Sequence, residues 1–295
     1  MMTVDSPYSG PATPAAAMFE APGRPRPLAR RLAIHNRVVR RIRDFFLAEG
    51  FNEVPVTALA DHPARIQLQG MLALGFEAVW CESEIMPPGG RLEPRHLRGF
   101  KLMEAAHADL PLSGLVALQQ ALLKFVAADL GADLLGGRDV TRLDRMLRFD
   151  HPCLEYDEAL AILRGKGWDL QPGQPLHMAA KATLLRHCNN LPVQVVHEPR
   201  PHRLAGTAAA PAPSICEGVE YILPYAGVTM EGEVLDGQAT FSLDLGRLLQ
   251  YLMGLEKITD TLIDPMDRIA QVMRGVPHGT GLRSISGLHS TSGKG

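Results

Sequence analysis

Ser242-Leu243-Asp244-Leu245-Gly246-Arg247-Leu248 runs without a break into Leu249-Gln250-Tyr251-Leu252-Met253-Gly254-Leu255, and this stretch decides how the chain is read. Leu245, Leu248, Leu249, Leu252 and Leu255 recur at helical spacing, so a buried face holds Arg247 in a defined direction at the start of an apolar helix. An arginine placed in this way can present a fixed cation to a phosphate chain. Spacing alone also suits a plainer role, a solvated or salt-bridged arginine on an amphipathic helix.

The rest of the composition sets limits. The 295 residues are 46% hydrophobic and carry a formal net charge of -2, enough for a sizeable core in one large domain or two small ones. No run of about 18 apolar residues occurs, so a membrane span is not expected. The N-terminus has no apolar signal region, and Cys81, Cys153, Cys188 and Cys216 are scattered without metal-type pairing, which fits a cytoplasmic protein with reduced thiols. Residues 1–27, rich in Pro, Ala, Gly and Ser, and residues 276–295, rich in Gly and Ser, are expected to be flexible tails around a core at 28–275. Eight arginines lie between Arg24 and Arg43 with no acid among them. Contact with RNA is one reading. The other, favoured because the whole chain is not basic, makes Arg30, Arg37 and Arg41 the solvated face of a helix.

Along the chain, Leu28, Leu32, Val39, Ile42 and Phe46 form a helical stripe stopped at Gly50, and Phe51-Asn52-Glu53-Val54 reads as a strand. A helix follows Pro63-Ala64-Arg65. Glu77-Ala78-Val79-Trp80-Cys81 reads as a strand, Pro87-Pro88-Gly89-Gly90 as a turn and Arg98 to Met103 as the returning strand. Helices are expected at Leu112–Leu130 and Leu176–His187, and a strand at Leu191–His197. His197, Glu198 and His202 lie in a segment that Pro199 and Pro201 make extended, without metal-ligand spacing, so no metal site is expected there. His35 and His107 are read as structural or surface groups.

The order of these pieces resembles the catalytic core of class II aminoacyl-tRNA synthetases, in particular the aspartyl/asparaginyl/lysyl group and most of all the asparaginyl enzymes. The opening stretch resembles motif 3, G-L-G-x-E-R-L followed by an apolar helix and G-L, with Arg247 and Gly254-Leu255 in register. Gly50-Phe51-Asn52-Glu53-Val54-Pro55-Val56-Thr57-Ala58-Leu59 resembles motif 1, G-F-x-E-V-x-T-P-x-L, which builds the family's homodimer interface; Thr57 replaces its proline. Arg95-His96-Leu97-Arg98-Gly99-Phe100 with Glu104 resembles the second half of motif 2. Counting back without a gap puts Pro87 at the α-phosphate arginine and Gly89 at its glutamate. In the segment after Gly227, Val228 takes the place of a magnesium-binding glutamate and Leu235 that of a substrate-gripping arginine, with Gly232 and Asp236 partly preserved. A short shift brings Glu231 or Glu233 into play.

The resemblance implies an α+β fold, a class II synthetase-like antiparallel β-sheet flanked by helices, and a homodimer. It makes Arg247 the catalytic γ-phosphate arginine, with Arg95, His96, Phe100, Glu104, Glu231, Glu233 and Asp236 as ligand-binding candidates. Phe100 would stack on adenine. ATP and Mg are the implied cofactors and an amino acid or nucleotide the implied ligand. Adenylate formation, however, needs charge stabilisation at the α-phosphate, commonly worth several kcal/mol, and Pro87 offers neither charge nor donor. The chain leaves no room for the family's anticodon-reading domain, so tRNA anticodon recognition is not expected. The expectation is therefore an asparaginyl/aspartyl-tRNA synthetase-like paralogue acting outside translation with impaired adenylation; the alternative is a non-catalytic dimeric binding or regulatory protein on the same scaffold.

Overall fold

The computed structural model describes residues 27–56, 64–85, 100–131, 134–199 and 217–261. Pro87, Gly89, Arg95, His96, His202, Cys216 and, apart from Pro27, both expected tails lie outside them. Seven helices are described, α1 (Pro27–Ala48), α2 (Ala64–Ala73), α3 (Leu112–Ala128), α4 (Gly137–Arg148), α5 (Tyr156–Gly165), α6 (Met178–His187) and α7 (Leu245–Met253). The strands are β1 (Asn52–Glu53), β2 (Ala78–Ile85), β3 (Phe100–His107), β4 (Cys153–Glu155), β5 (Val193–Val196), β6 (Glu217–Leu223), β7 (Gly227–Leu235) and β8 (Gln238–Asp244). They form one sheet in the order β1-β2-β3-β8-β7-β6-β5-β4. The six central strands pair antiparallel, as expected, whereas both edge strands, β1 on β2 and β4 on β5, are parallel to their neighbours.

Side chains alternate across a strand, so each strand contributes to two faces. One face carries Trp80, Met103, Ala105, Val219, Tyr221, Met230, Phe241 and Leu243, which pack with α1, α3, α4 and α7 into the main core. Among the described residues, helices meet the opposite face at its two ends. Val79, Cys81 and Ala106 meet Leu68 and Leu72 of α2, while Leu154, Val193, Val195 and Ile222 meet α5 and α6. Among the described residues no helix covers the middle of that face.

The apolar stripe of α1 runs along Ile34, Val38, Ile42 and Phe45, with Phe46 beside it; Leu32, expected inside, is exposed. Several residue sets fit a 3.6-residue period, and the sheet selects among them. The expected solvated arginine face is also corrected. Arg30 donates to the Leu134 carbonyl and Arg37 to that of Asp129 at 3.4 Å. Arg41 lies 3.8 Å over the Phe125 ring and near Asp44 and Asp129. Asp129 is the C-cap of α3, so these guanidiniums gather at the negative end of a helix dipole.

In α7 the expected face, Leu245, Leu248, Leu249 and Leu252, is buried, and Gln250, Tyr251 and Met253 are buried with it. The helix ends at Gly254, whose φ of 64° is left-handed and whose α-carbon lies against Asp139. Arg142, from α4, donates to the carbonyls of Tyr251 and Leu252 and so closes the end of α7. The sequence reading made no assignment for α4.

Candidate functional site: the uncovered sheet face

Register places Glu104 of β3 opposite Ser242 of β8, Ser242 opposite Glu231 of β7, and Glu231 opposite Glu220 of β6. Directly opposed residues stand about 5 Å apart with side chains on one side. Together they form the floor between the α2 and α6 covers. Glu233, two residues along β7, faces the same way opposite Thr240, and Asp244 is two residues along β8. Three acids in one row across four strands, two of them directly opposed on β7 and β6, repel one another unless cations or protons intervene, and a cation stands near each end of the row.

At one end Arg65, on the first turn of α2, reaches down to Glu233 and to the Thr240 hydroxyl. Ser83 of β2 donates to Glu104. Burial raises the Glu104 carboxyl above its ordinary range; the Ser83 hydrogen bond and the Arg65 charge oppose that shift. At the other end Lys181 of α6, only 5% exposed, pairs with Glu220 and lies 3.2 Å from Glu198. Between the two ion-paired ends, Ser242 and Glu231 remain half-buried.

Arg247 stands where β8 passes into α7. Asp244 caps the helix, its Oδ1 accepting from the Arg247 amide at 3.0 Å, and its Oδ2 lies 3.3 Å from the Arg247 Nε. Burial raises the Asp244 carboxyl, with the hydrogen bonds and charge of Arg247 acting against it. The guanidinium also donates through Nη1 to the Ala226 carbonyl at 2.6 Å, at the turn between β6 and β7. Arg247 is thus fixed in direction, as its helix position suggested, and its charge is matched by a carboxylate within the same turn.

Of the residues proposed from sequence, Glu104, Glu231 and Glu233 come together on one face, with Arg247 beyond the end of β8. Phe100 opens β3, paired with Ile85. Asp236 does not join them. It forms with Gly237 the two-residue turn between β7 and β8, both with positive φ, 50° and 81°, and it is exposed at the far end of a seven-residue strand, about 20 Å from the start of α7. His107 accepts from the Asp109 amide and His35 lies beside Asn36, both structural contacts. His197 pairs with Glu155 at 2.7 Å. Among the described residues no group of three or more His, Cys, Asp or Glu is placed to hold a metal ion.

Lys181, Glu198, Glu220 and Arg65 were not among the sequence candidates. A signal existed for two of them. Lys181 shares the helical face of Leu184 and Leu185, and Glu220 interrupts the apolar run Val219 to Leu223. Charges in such positions are buried and need partners.

No protein-family model and no curated protein matches the chain. Its fold is similar to that of the asparaginyl-tRNA synthetase from Pyrococcus horikoshii complexed with asparaginyl-adenylate, with TM-score 0.62 and 17% identity over 80% of this chain and 68% of that one. The chain has the fold of a class II aminoacyl-tRNA synthetase catalytic core. Entamoeba histolytica asparaginyl-tRNA synthetase (TM-score 0.65, 13% identity, 80% of this chain and 67% of that one) and aspartyl-tRNA synthetase (0.63, 14%, 79% and 57%) are similar to it in the same way. At these identities the likeness is one of fold, and the chain spans about two thirds of the length of the asparaginyl enzymes. In this class II synthetase-like fold no described helix is long and apolar enough to cross a membrane.

Proposed function

We propose that the chain is an asparaginyl/aspartyl-tRNA synthetase-like protein that acts outside translation and binds an amino-acid-like or nucleotide-like ligand on the sheet face between α2 and α6, without ordinary ATP-dependent adenylation. The observation that carries this reading is the charge balance of the face. Among the described residues Arg65, Lys181 and Arg247 each face a carboxylate, so this part of the floor presents the Ser242 hydroxyl among acids rather than a surplus of cations. Such a donor set suits a small zwitterionic or neutral polar ligand. It suits a magnesium-bound triphosphate less well, because the described cations are already matched by carboxylates. Pro87 at the α-phosphate arginine's place supports the same conclusion.

Amino-acid-dependent ATP–pyrophosphate exchange is expected to stay at background with each common amino acid; robust exchange that Arg247→Ala abolishes would overturn the reading. A thermal-shift series with ATP, AMP, amino acids and aminoacyl-tRNA is expected to yield a stabilising ligand. At one hundred times its Kd that ligand adds about 2.7 kcal/mol. Ser242→Tyr, which fills the floor between Glu104 and Glu231, is expected to remove the shift while leaving the ligand-free melting point within a few degrees. The alternative, a non-catalytic dimeric binding or regulatory protein of the cytoplasm, is favoured if no small molecule shifts the melting point. Both readings include a homodimer, which sedimentation at micromolar concentration checks.

A further inference from the structure

Gln119 and Gln194 are polar side chains in apolar surroundings. Gln119 lies on the inner face of α3 with Leu115, Leu122 and Leu123, and Gln194 is the single polar residue of β5, Val193-Gln194-Val195-Val196. Both residues are 0% exposed. They meet between α3 and the sheet, where the Gln194 Nε2 donates to the Val116 carbonyl at 2.9 Å and stands 3.3 Å from the Gln119 Oε1. A glutamine amide brings an acceptor oxygen and a nitrogen with two donor hydrogens. The Gln194 Oε1 and the Gln119 Nε2 are buried without a hydrogen-bond partner. One of them is an acceptor and the other a donor.

Turning either amide does not repair this. The Val116 carbonyl can only accept, so Gln194 keeps its nitrogen toward α3 and its oxygen away. Gln119 then keeps its oxygen toward that nitrogen, because the turned amide would set two NH2 groups against each other. An unpaired buried donor and an unpaired buried acceptor each forfeit the hydrogen bond to water that they make in the unfolded chain. A guest that both donates and accepts removes both losses. Water does so, and internal waters are found on buried polar groups of this kind. β7 supplies the clearance, since its core-facing row runs Met230, Gly232, Val234 and the middle position carries no side chain. A Cβ on Gly232 would lie 3.2 Å from the Gln119 Nε2 and 2.7 Å from Leu115 Cδ2, so a larger residue would close the space beside the free nitrogen.

We propose that Gln119 and Gln194 form a closed site for one internal water molecule, which joins α3 to β5 beside Gly232 of β7. The water donates to the Gln194 Oε1 and accepts from the Gln119 Nε2, while the Gln194 Nε2 keeps its bonds to Val116 and Gln119. The site lies on the core side of the sheet, opposite the face that carries Glu231 and Glu233, and the inference does not depend on what that face binds. Neither amide titrates, so the site stays occupied at every pH at which the protein is folded.

The test is a pair of water-selective NOE and ROE spectra of the deuterated full chain, with nitrogen-15 in its glutamine side chains. The Gln119 side-chain amide is expected to show a cross-peak to water with the NOE-to-ROE ratio of a long-lived contact, which the exposed Gln171 amide does not show. Gly232→Ala is expected to remove that cross-peak. Melting points give a second reading. Gln119→Leu and Gln194→Leu are each expected to lower the melting point by about 5 °C, since each leaves the other amide unpaired. The double replacement is expected to recover at least half of the summed loss, because an apolar pair leaves nothing unpaired. The proposal is overturned if Gln119 shows no long-lived contact with water, if that contact survives in Gly232→Ala, or if the double replacement costs the full sum of the single ones. Should Gly232→Ala fail to fold, the wild-type cross-peak and the glutamine replacements decide.

Discussion

Lys181→Met is expected to lower the unfolding free energy by about 3–5 kcal/mol, the range for removing one partner of a buried ion pair. Methionine preserves most of the aliphatic stem, so little packing is lost. What disappears is the ammonium between Glu198 and Glu220. The Glu198 carboxyl, already raised by burial and by the charge of Glu220, then loses the ammonium that opposes that shift and holds its proton more tightly still in the folded state. A carboxyl whose folded pKa is raised contributes stability in full below its unfolded pKa and loses it as the pH rises through the folded value. The cost of Lys181→Met should therefore be greater at pH 8 than at pH 5. Urea unfolding at both pH values checks this, and equal costs would mean that the carboxyls are not held ionised against each other.

The second large effect has the opposite sign and comes from the other face of the sheet. His151 is buried in the main core, its Nε2 2.9 Å from the Met146 carbonyl and its Nδ1 in contact with the Tyr221 hydroxyl. A carbonyl can only accept, so the ring carries its proton on Nε2 and Nδ1 accepts from Tyr221. Burial lowers the imidazole to about 4, the Met146 carbonyl opposing that shift and Lys124 adding to it. The folded protein then keeps His151 neutral while the unfolded chain takes up a proton below about 6.5. Stability from this group is complete above 6.5 and is lost as the pH falls toward 4, by about 3 kcal/mol in all. Melting points between pH 4 and 7 should show that slope, and His151→Leu should remove it while costing about 1–3 kcal/mol at neutral pH by leaving the Tyr221 hydroxyl unpaired. Glu198 acts in the opposite sense across part of the same window, so the difference between wild type and variant is the quantity that isolates His151. An unchanged slope would place the acid sensitivity elsewhere.

Much of the element order is legible in the sequence because local chemistry dictates it. The leucines of α7, the Gly254 stop, the strand that begins near Ala78 and the helix at Leu112 follow from period and punctuation alone. Arg247 was legible for the same reason, since its place at a helix start is local. The phase of α1 was not. Leu32 and Ile34 both fit a helical stripe, and only packing against Phe125, Trp80 and Phe241 turns Ile34 inward and leaves Leu32 in water. Asp236 was named as a ligand candidate by resemblance to the segment that follows Gly227, and its place in the fold was not legible there. Its pairing with Gly237 in a positive-φ turn assigns it to the hairpin instead.

The sequence by itself determined the kind of fold, through the order of motifs, and the direction of Arg247, through the helix that carries it. It also held the substitutions, Pro87 above all, on which the proposal of impaired adenylation rests. Only the tertiary structure decided which charges meet. Lys181, Glu198 and Glu220 come from α6, the end of β5 and the middle of β6, and Arg65 meets Glu233 across 168 residues of chain. Sheet register is what aligns Glu104, Ser242, Glu231 and Glu220 in one row, and register depends on hydrogen bonding between strands distant in sequence. Coulomb energies fall with distance and rise with burial, so neither the partner nor the environment of these groups is written in their local sequence.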